Sequence, residues 1–253
     1  MADPWWENLF DETYLKLWAS SFALERTAQQ VAGVQQMLNL QPGAEILDLC
    51  CGQGRIAVPL AQAGYRVTGL DLSPTLLEAA QQAAEDANVH VDWVQADMRD
   101  IPAAWAGRFD AIINIFTAFG YFEDDEENQR VLEEVARALK PGGLFLIDVS
   151  HRDRIMAEYR DHDWFEVGDL LVCSSRAFDP IRGINTEIMM WTDDQGQRHH
   201  VHFQVHVYNA TELTRMIQLA GLQPIAYYGD FDLSPFQMRS RRLIILARRP
   251  VES

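Results

Sequence analysis

The chain has 253 residues, of which 48 % are hydrophobic and 23 % charged, and its formal net charge at pH 7 is −16. This composition is typical of a globular protein and indicates one large domain, or one domain with a sizeable insertion. Because nucleic-acid binding depends on Lys and Arg at the phosphates, the acidic balance argues against a DNA or RNA substrate.

The first 40 residues are predicted to form a helical segment that is rich in aromatic side chains. These side chains are Trp5, Trp6, Phe10, Tyr14, Trp18 and Phe22. Phe10, Tyr14 and Trp18 fall on one helical face, which is typical of an amphipathic helix packed on a sheet. The same rings could also cover a ligand. We expect residues 1–40 to act as a lid, with Tyr14 beside the bound ligand.

Between Glu45 and Val149, short apolar runs alternate with longer helical patterns. Strands are predicted at 45–50, 65–70, 89–95, 109–116 and 143–149, and helices at 54–63, 74–87 and 126–140. The alternation predicts a doubly wound α/β fold, in which a mostly parallel sheet carries helices on both faces. The same pattern resumes with a helix at 211–220 and strands at 222–228 and 242–248.

Residues 151–208 break this alternation. Strands predicted at 170–178, 184–192 and 198–208 are joined by turn sequences, which indicates an antiparallel β insertion. Three histidines of the last strand, His200, His202 and His206, share one face because residues two apart point the same way. Such a face could line a substrate site or bind a metal. We interpret it as the polar face of a half-buried strand and predict no metal site.

The loop after the first strand contains two glycines, Gly52 and Gly54, with Gln53 between them. In a doubly wound sheet, ligands bind beyond the carboxyl ends of the strands, so this loop is the first candidate for a site. Glycines let a ligand approach the backbone amides that open the next helix. The loop also fits the G-x-G-x-x-A pattern of dinucleotide-binding proteins, so NAD binding has to be considered.

Three carboxylates near the ends of successive strands separate the alternatives. Asp71 ends the second strand, where a carboxylate can accept both hydroxyls of a ribose, as either NAD or an adenosyl ligand would require. Asp97 follows the third strand and is placed to accept from an adenine amino group. Asp48 precedes the glycine loop and would repel a pyrophosphate, whereas it suits a cationic amino-acid group. Together they favour an adenosyl ligand that carries an amino acid.

The ordered stretches "ILDLCCGQG", "VTGLDLS", "QADM", "FDAIINIFTAFGYF" and "LKPGGLFLIDV" resemble the motifs of class I S-adenosylmethionine-dependent methyltransferases of the small-molecule type. The resemblance covers about 45–149 and resumes at 211–248. It implies methyltransferase activity with S-adenosylmethionine as cofactor. It also implies a Rossmann-like, seven-stranded sheet whose last strand is antiparallel.

Carried over by position, the resemblance assigns the cofactor-binding residues. Gly52, Gln53 and Gly54 would lie against the methionine part, together with Asp48, and Tyr14 would cover the cofactor. Asp71 would hold the ribose and Leu72 would pack on the adenine, which Asp97 and the amide of Met98 would recognise. Asn114 and Phe116 would flank the cofactor. The implied domains are a cofactor-binding domain at 41–150 and 209–253 and a substrate-binding insertion at 151–208.

One position departs from the family, because Cys50 stands where the relatives usually have glycine. A cysteine fits there if the backbone φ angle is negative, whereas a positive φ would strain the loop by about 1–3 kcal/mol. We expect a negative φ. The adjacent Cys51 and the single remaining Cys173 make an odd count, which predicts no disulfide framework. We interpret Cys50 and Cys51 as small packing residues.

The acceptor is predicted to be a small molecule. The segment after the fourth strand lacks the (D/N/S)-P-P-(Y/F/W) signature of enzymes that methylate adenine or glutamine amides, and N-methylation is slightly favoured over O-methylation. His151, which follows the fifth strand, and Tyr121 are the candidate catalytic residues.

No run of about 18–20 apolar residues and no signal-peptide pattern occurs, so we expect no membrane contact and a cytoplasmic location. The alternatives are an NAD-dependent oxidoreductase and a non-catalytic S-adenosylmethionine-binding protein.

Overall fold

The structure is a computed structural model that describes residues 5–251, apart from the side chains of Glu7, Asn8, Ser20 and Ser21. The ends of the predicted 1–40 and 209–253 segments, residues 1–4 and 252–253, lie outside the described residues. No helix within residues 5–251 has both the length and the apolar character that crossing a membrane requires.

The central sheet has seven strands. They are β1 (Glu45–Leu49), β2 (Arg66–Asp71), β3 (Asp92–Gln95), β4 (Phe109–Asn114), β5 (Leu139–Ser150), β10 (Gln223–Tyr228) and β11 (Arg242–Arg248). Their order is β10-β11-β5-β4-β1-β2-β3, and only β11 runs antiparallel to its neighbours. The predicted doubly wound, mostly parallel seven-stranded sheet with an antiparallel last strand is therefore confirmed.

Eight α-helices accompany the strands in the described part of the chain. They are α1 (Trp5–Leu9), α2 (Glu12–Leu17), α3 (Leu24–Leu38), α4 (Ala57–Gln62), α5 (Pro74–Asp86), α6 (Asp125–Ala138), α7 (Arg152–Ala157) and α8 (Ala210–Leu219). The N-terminal segment is thus broken into short helices. Asp11 begins α2, because its carboxylate accepts from the amides of Thr13 and Tyr14 at 2.7 and 3.1 Å.

The hydrophobic core lies on both faces of the central sheet. Leu47 and Ile112 point into one apolar layer, whereas Ile46 and Ile113 point into the other, and all four are fully buried. Neighbouring residues of a strand point to opposite faces, so strands covered on both sides read as continuous apolar runs. The loops at the carboxyl ends of these strands are consequently held by a rigid support.

The insertion forms a second sheet of four antiparallel strands in the order β6-β7-β8-β9. Its strands are β6 (His162–Val167), β7 (Leu170–Asp179), β8 (Ile184–Thr192) and β9 (Arg198–His206). The three strands predicted here are confirmed as β7, β8 and β9, but β6 was not predicted. Its sequence, HDWFEV, places charged or polar residues on both faces, which hides the period-two pattern.

Candidate active site

A cavity of about 870 Å³, with the open space at its mouth included, lies at the carboxyl ends of β1 to β4. Most of the predicted site residues line it. These are Tyr14, Asp48, Gly52, Gln53, Asp71, Leu72, Asp97, Met98, Phe116 and Tyr121. Gly54, Asn114 and His151 do not line it. We call this cavity the first cavity.

Asp71 is the polar anchor of the first cavity. Its side chain lies at the end of β2, where Oδ2 accepts the Gly52 amide at 2.8 Å and Oδ1 accepts the Ser73 amide at 2.9 Å. Burial raises the pKa of this carboxyl group, and the backbone hydrogen bonds act against the increase. Each carboxylate oxygen has two acceptor positions, so Asp71 can take two further hydrogen bonds. It can therefore accept a pair of neighbouring hydroxyls.

The glycine loop turns through three residues with left-handed backbone angles. Cys50 has φ 61°, Gly52 has φ 54° and Gly54 has φ 74°. The expectation of a negative φ at Cys50 was therefore wrong. The chain leaves β1 through a turn that favours glycine, and the cysteine adopts the glycine conformation. Its Sγ atom lies 3.4 Å from the sulfur of Met98.

Cys51 is buried and Cys50 is half-buried, and neither lies in a setting that would make it reactive. Burial raises the pKa of the Cys50 thiol and of the Cys51 thiol well above the ordinary value, and nearby aspartates act in the same direction. Nucleophilic and redox cysteines need the thiolate form, which this setting disfavours. The geometry supports the interpretation of both as packing residues. Gly54 also has a packing role, because a Cβ atom there would lie 2.8 Å from the Trp93 ring.

Asp48 and Arg55 place an acid and a cation on the same side of the first cavity. Burial raises the pKa of Asp48 to about 7, and Arg55 partly offsets the increase. The Arg55 guanidinium lies over the rings of Phe22 and Phe116, at 5.7 and 5.4 Å from the centroids. It also donates to Gln30, and to Thr27 at 3.2 Å. Sequence reasoning missed Arg55, although it directly follows the glycine loop.

Asp97 is held by its neighbour Arg99. Its Oδ1 accepts the Arg99 amide at 2.8 Å, and its Oδ2 accepts Nη2 of the same residue at 2.6 Å. Burial acts to raise the pKa of Asp97, but the hydrogen bonds from Arg99 outweigh it and keep the pKa below its ordinary value. Asp97 is therefore a fixed carboxylate on the wall of the cavity. Most of its acceptor capacity is already used.

Two predicted residues lie behind the cavity wall. Asn114 donates from Nδ2 to the carbonyl oxygens of Leu49 and Ala118, both at 3.1 Å, and so ties together the loops after β1 and β4. His151 is 2 % exposed; its Nδ1 lies 3.1 Å from the Ser240 carbonyl oxygen and its ring packs against Phe236. The cavity geometry therefore gives no support to His151 as a base.

Aromatic rings of the N-terminal helices cover the first cavity. Tyr14 packs between Phe10 and Trp18, with ring centroids 5.0 and 4.8 Å away. The carbonyl oxygen of Phe10 accepts from the Ser73 hydroxyl at 2.6 Å, which joins this cover to the start of α5. Burial raises the pKa of Tyr14, so its phenol stays neutral.

A second cavity lies between the N-terminal helices, the inserted sheet and α7. Its volume is about 1400 Å³, with open space included. Phe10, Tyr14, Phe116 and Tyr121 line both cavities and form a shared aromatic wall. We call this second space the second cavity.

The polar side of the second cavity comes from the inserted sheet and from the residues that follow α7. Arg176 and Glu187 form an ion pair at 2.9 Å, and the Tyr159 hydroxyl donates to Oδ1 of Asn185 at 3.2 Å. Glu187 is only 8 % exposed. The second cavity therefore has an aromatic end at the shared wall and a hydrogen-bonding end away from it.

The loop that carries Phe116 is held by a buried ion pair. Phe116 and the next residue, Thr117, have left-handed φ angles of 65° and 62°. The carboxylate of Asp148 accepts the Phe116 amide at 2.9 Å and two Arg242 nitrogens at 2.6 and 2.9 Å. Arg242 also donates to the Thr117 hydroxyl at 2.9 Å. This pair keeps one side of the shared wall in its unusual conformation.

The first cavity fits S-adenosylmethionine. Asp71 can accept the two ribose hydroxyls, and the apolar residues Leu72 and Met98 offer a surface for the adenine. The acid and the cation, Asp48 and Arg55, match the ammonium and the carboxylate of an amino acid. Aromatic faces of the shared wall suit a positively charged sulfur. The residues present thus match each part of the cofactor.

The fold is that of the Rossmann-like S-adenosylmethionine-dependent methyltransferases, and the first cavity suits the cofactor that they use. Residues 46–143 match the family model described as a methyltransferase domain. The chain therefore contains a methyltransferase domain, and we identify it as a methyltransferase whose cofactor is S-adenosylmethionine. The match decides between the two cofactors that the glycine loop alone left open.

Relatives that carry methyltransferase names agree with this assignment. The chain is 27 % identical to the putative methyltransferase YqeM of Bacillus subtilis over 83 % of this chain and 86 % of that protein. It is 28 % identical to the cypemycin N-terminal methyltransferase of a Streptomyces species, over 98 % and 100 %. Among solved structures, CalS10 of Micromonospora echinaspora, an amino pentose methyltransferase, superposes with a TM-score of 0.68 at 19 % identity, over 96 % and 98 %. This last likeness supports the fold.

Proposed function

We propose that the protein methylates a small-molecule acceptor, with N-methylation favoured over O-methylation. The observation that carries this proposal is the aromatic wall that the two cavities share, formed by Phe10, Tyr14, Phe116 and Tyr121. A cofactor in the first cavity and an acceptor in the second would meet at this wall. Such an arrangement holds two reactants in contact and away from water.

The cofactor contacts follow from the chemistry of the first cavity. When bound, S-adenosylmethionine supplies an activated methyl group on a positively charged sulfur. In our proposal Asp71 binds the ribose hydroxyls, while Asp48 and Arg55 bind the two charged groups of the amino acid. Asp97 and the amide of Met98 are proposed to recognise the adenine. All five residues line the first cavity or its rim.

The chain contributes mainly alignment and exclusion of water. Holding reacting groups in contact can supply about 7–11 kcal/mol of a barrier. Tyr121 lines both cavities, and burial raises the pKa of its phenol well above the ordinary value. It is therefore a neutral hydroxyl that can orient the acceptor. A neutral amine needs no strong base, so the proposal does not use His151.

The names of two similar proteins favour an amine acceptor. In the second cavity Glu158 and Glu187 can attract a cationic amine, which loses its proton before it reacts, although Arg160, Arg176 and Arg242 line the same cavity. The cypemycin relative is named for methylation at an N-terminus, and the CalS10 neighbour is named for an amino pentose. Both names describe acceptors that carry nitrogen. They support N-methylation as the first choice.

The domain roles form part of the same proposal. Residues 41–150 and 209–253 would bind the cofactor, 151–208 the acceptor, and 1–40 would close over both.

We also place the protein in the cytoplasm, because the cysteines at positions 50, 51 and 173 are free thiols, which suits a reducing compartment. The net charge of −16 makes a nucleic-acid acceptor unfavourable.

The test uses S-adenosylmethionine with a radiolabelled methyl group and a fractionated extract of small metabolites. We expect label to enter one fraction. A parallel extract, treated beforehand with an amine-acylating ester, should lose the signal if nitrogen is methylated. Retained signal after acylation would overturn the preference for nitrogen. Absence of transfer in every fraction, with normal binding of S-adenosylhomocysteine, would instead favour a non-catalytic binding protein.

Glu187→Gln serves as the matched variant on the acceptor side. It keeps the size of the side chain and lies outside the first cavity. We expect unchanged affinity for S-adenosylhomocysteine and a several-fold higher KM for the labelled fraction. The opposite pattern, weaker cofactor binding with an unchanged KM, would contradict the assignment of the second cavity.

A further inference from the structure

The two faces of the inserted sheet differ sharply. Residues that point inward, such as Glu187 and Phe203, line the second cavity. Their neighbours along each strand point outward and are exposed. Large apolar side chains are prominent among them: Trp164 is 64 % exposed, Leu171 54 %, Ile188 39 % and Met190 48 %. We call this surface the outer face.

The apolar residues of the outer face form one continuous surface. Trp164 on β6 pairs with Cys173 on β7, which pairs with Met190 on β8, so these side chains lie in one row across the sheet. Leu171 and Ile188 lie in the rows on either side. Monomeric proteins rarely expose contiguous apolar surface of this kind unless it is an association site. This face therefore needs a partner.

Opposite charges stand at the two edges of the outer face. Glu166, two residues from Trp164, lies on the edge strand β6. On the opposite edge strand, β9, His200 pairs with Met190. Arg198 lies two residues before His200, at the same end of the sheet as Glu166. The ion pairs of this sheet involve inward-facing residues, and within residues 5–251 neither Glu166 nor Arg198 has a charged partner.

We propose that the outer face binds a second copy of this chain in a symmetric dimer whose twofold axis runs along the strands. Such an axis lays β6 of one subunit over β9 of the other at the same height. Glu166 then faces Arg198 of the partner subunit, and the pair occurs twice, as an isologous contact requires. The row that contains Trp164 and Met190 fills the centre.

The dimensions of the outer face suit this arrangement. Four strands about 4.8 Å apart and up to about 30 Å long give a face of roughly 600 Å² in projection. A stable interface buries about 800 Å² of accessible surface per partner, and a sheet with side chains exposes more surface than its projection. Packed sheets lie about 10 Å apart, a distance that Glu and Arg side chains can bridge.

Charge reversal tests the dimer without knowledge of the acceptor. The variants are Glu166→Arg, Arg198→Glu and the double variant, with Glu78→Arg as a control at an exposed position on α5. Sedimentation equilibrium at a series of concentrations should show a wild-type dimer. Each single reversal should raise the dimer dissociation constant about tenfold or more, because like charges then face each other twice. The control should leave it unchanged.

Rescue distinguishes a specific contact from general disruption. The double variant restores opposite charges in the same chain, and an equimolar mixture of the two single variants restores them between chains. Both should return the dissociation constant to within about threefold of the wild type. S-adenosylhomocysteine binding checks that every variant is folded. A monomeric wild type would overturn the proposal and leave the face to another partner. A dimer that is insensitive to both single reversals would also overturn it.

Discussion

The two cavities share a wall but are formed by different parts of the chain. The first cavity is shaped by the backbone of strand-end loops, and its anchor Asp71 is fixed by the amides of Gly52 and Ser73. The second cavity is shaped by side chains of the inserted sheet, and its charged residues Arg176 and Glu187 hold each other. A constant ligand can be read by backbone geometry. In our proposal a variable acceptor is recognised by side chains that can change without disturbing the central sheet.

The largest effect should follow removal of the first cavity's anchor. Asp71→Ala removes a charged group that holds the glycine loop and can accept the ribose hydroxyls, so S-adenosylhomocysteine should bind about 10–100-fold more weakly. Isothermal titration calorimetry measures this change. Asp169→Ala, at an exposed turn of the insertion, is the matched control. If both variants bound S-adenosylhomocysteine with equal affinity, Asp71 would not be the anchor of the first cavity.

The next largest effect concerns the amino-acid end of the cofactor. Arg55→Met keeps the apolar stem that lies against Phe22 and Phe116 but removes the cation. We expect about tenfold or greater weakening for S-adenosylhomocysteine, because a charged hydrogen bond is lost. 5′-Methylthioadenosine, which lacks the amino acid, should bind both forms equally. Equal weakening for both ligands would place Arg55 elsewhere in the site.

Asp48 should make cofactor binding depend on pH. Since burial raises the pKa of Asp48 to about 7, the ligand-free protein holds a neutral acid below that pH. A cationic ammonium favours the carboxylate, so S-adenosylhomocysteine affinity should rise by up to about tenfold per pH unit towards pH 7 and then level off. Calorimetry between about pH 5.5 and 7.5 measures the profile. Asp48→Asn should flatten it.

The same pKa predicts the opposite trend for the free energy of unfolding. In an unfolded chain Asp titrates near pH 4, whereas the folded Asp48 titrates near 7. Between these values the folded protein keeps a proton that the unfolded chain has released. Stability should therefore fall as pH rises through this window, and Asp48→Asn should reduce the slope. An equal slope in wild type and variant would contradict the raised pKa.

The smallest effect should come from the turn at Cys50. Cys50→Gly relieves the left-handed backbone, whereas Cys50→Ala keeps that conformation and also loses the thiol. We expect the glycine variant to be more stable than the alanine variant by about 1 kcal/mol, measured by chemical denaturation. Cofactor affinity should stay within about threefold in both, since the thiol is only a packing group. Loss of activity in both variants, with cofactor affinity unchanged, would return the thiol to the mechanism.

The difference between the cavities also explains what could be predicted from the sequence. The strand-end loops of the central sheet carry local signals, so the parallel sheet, the glycine loop and the role of Asp71 in lining the cavity follow from short motifs. The predicted negative φ angle of Cys50 was wrong, because the turn requires a left-handed conformation there and the residue type does not reveal it. Arg55 lay beside the motif, but its inward direction depends on α3 and on Phe116.

The parts that could not be predicted depend on residues far apart in the chain. Asp148 and Arg242 meet across 94 positions, and no local pattern shows that they hold Phe116. Asn114 and His151 lie at the ends of β4 and β5, as predicted. Their side chains, however, turn away from both cavities to satisfy buried backbone carbonyls. The shared wall likewise needs the N-terminal helices, whose docking no motif specifies.

The buried pair behind Phe116 has a consequence for how the family can vary. A carboxylate as deeply buried as Asp148, left without its guanidinium, would cost several kcal/mol. A change at either Asp148 or Arg242 alone should therefore be rare among functional descendants of this sequence, and the two positions should change together. Apart from the Arg176–Glu187 pair, the residues of the inserted sheet that line the second cavity carry no such constraint. Under the proposed function, new substrates should therefore evolve on the insertion, while the shared aromatic wall between the two cavities stays unchanged.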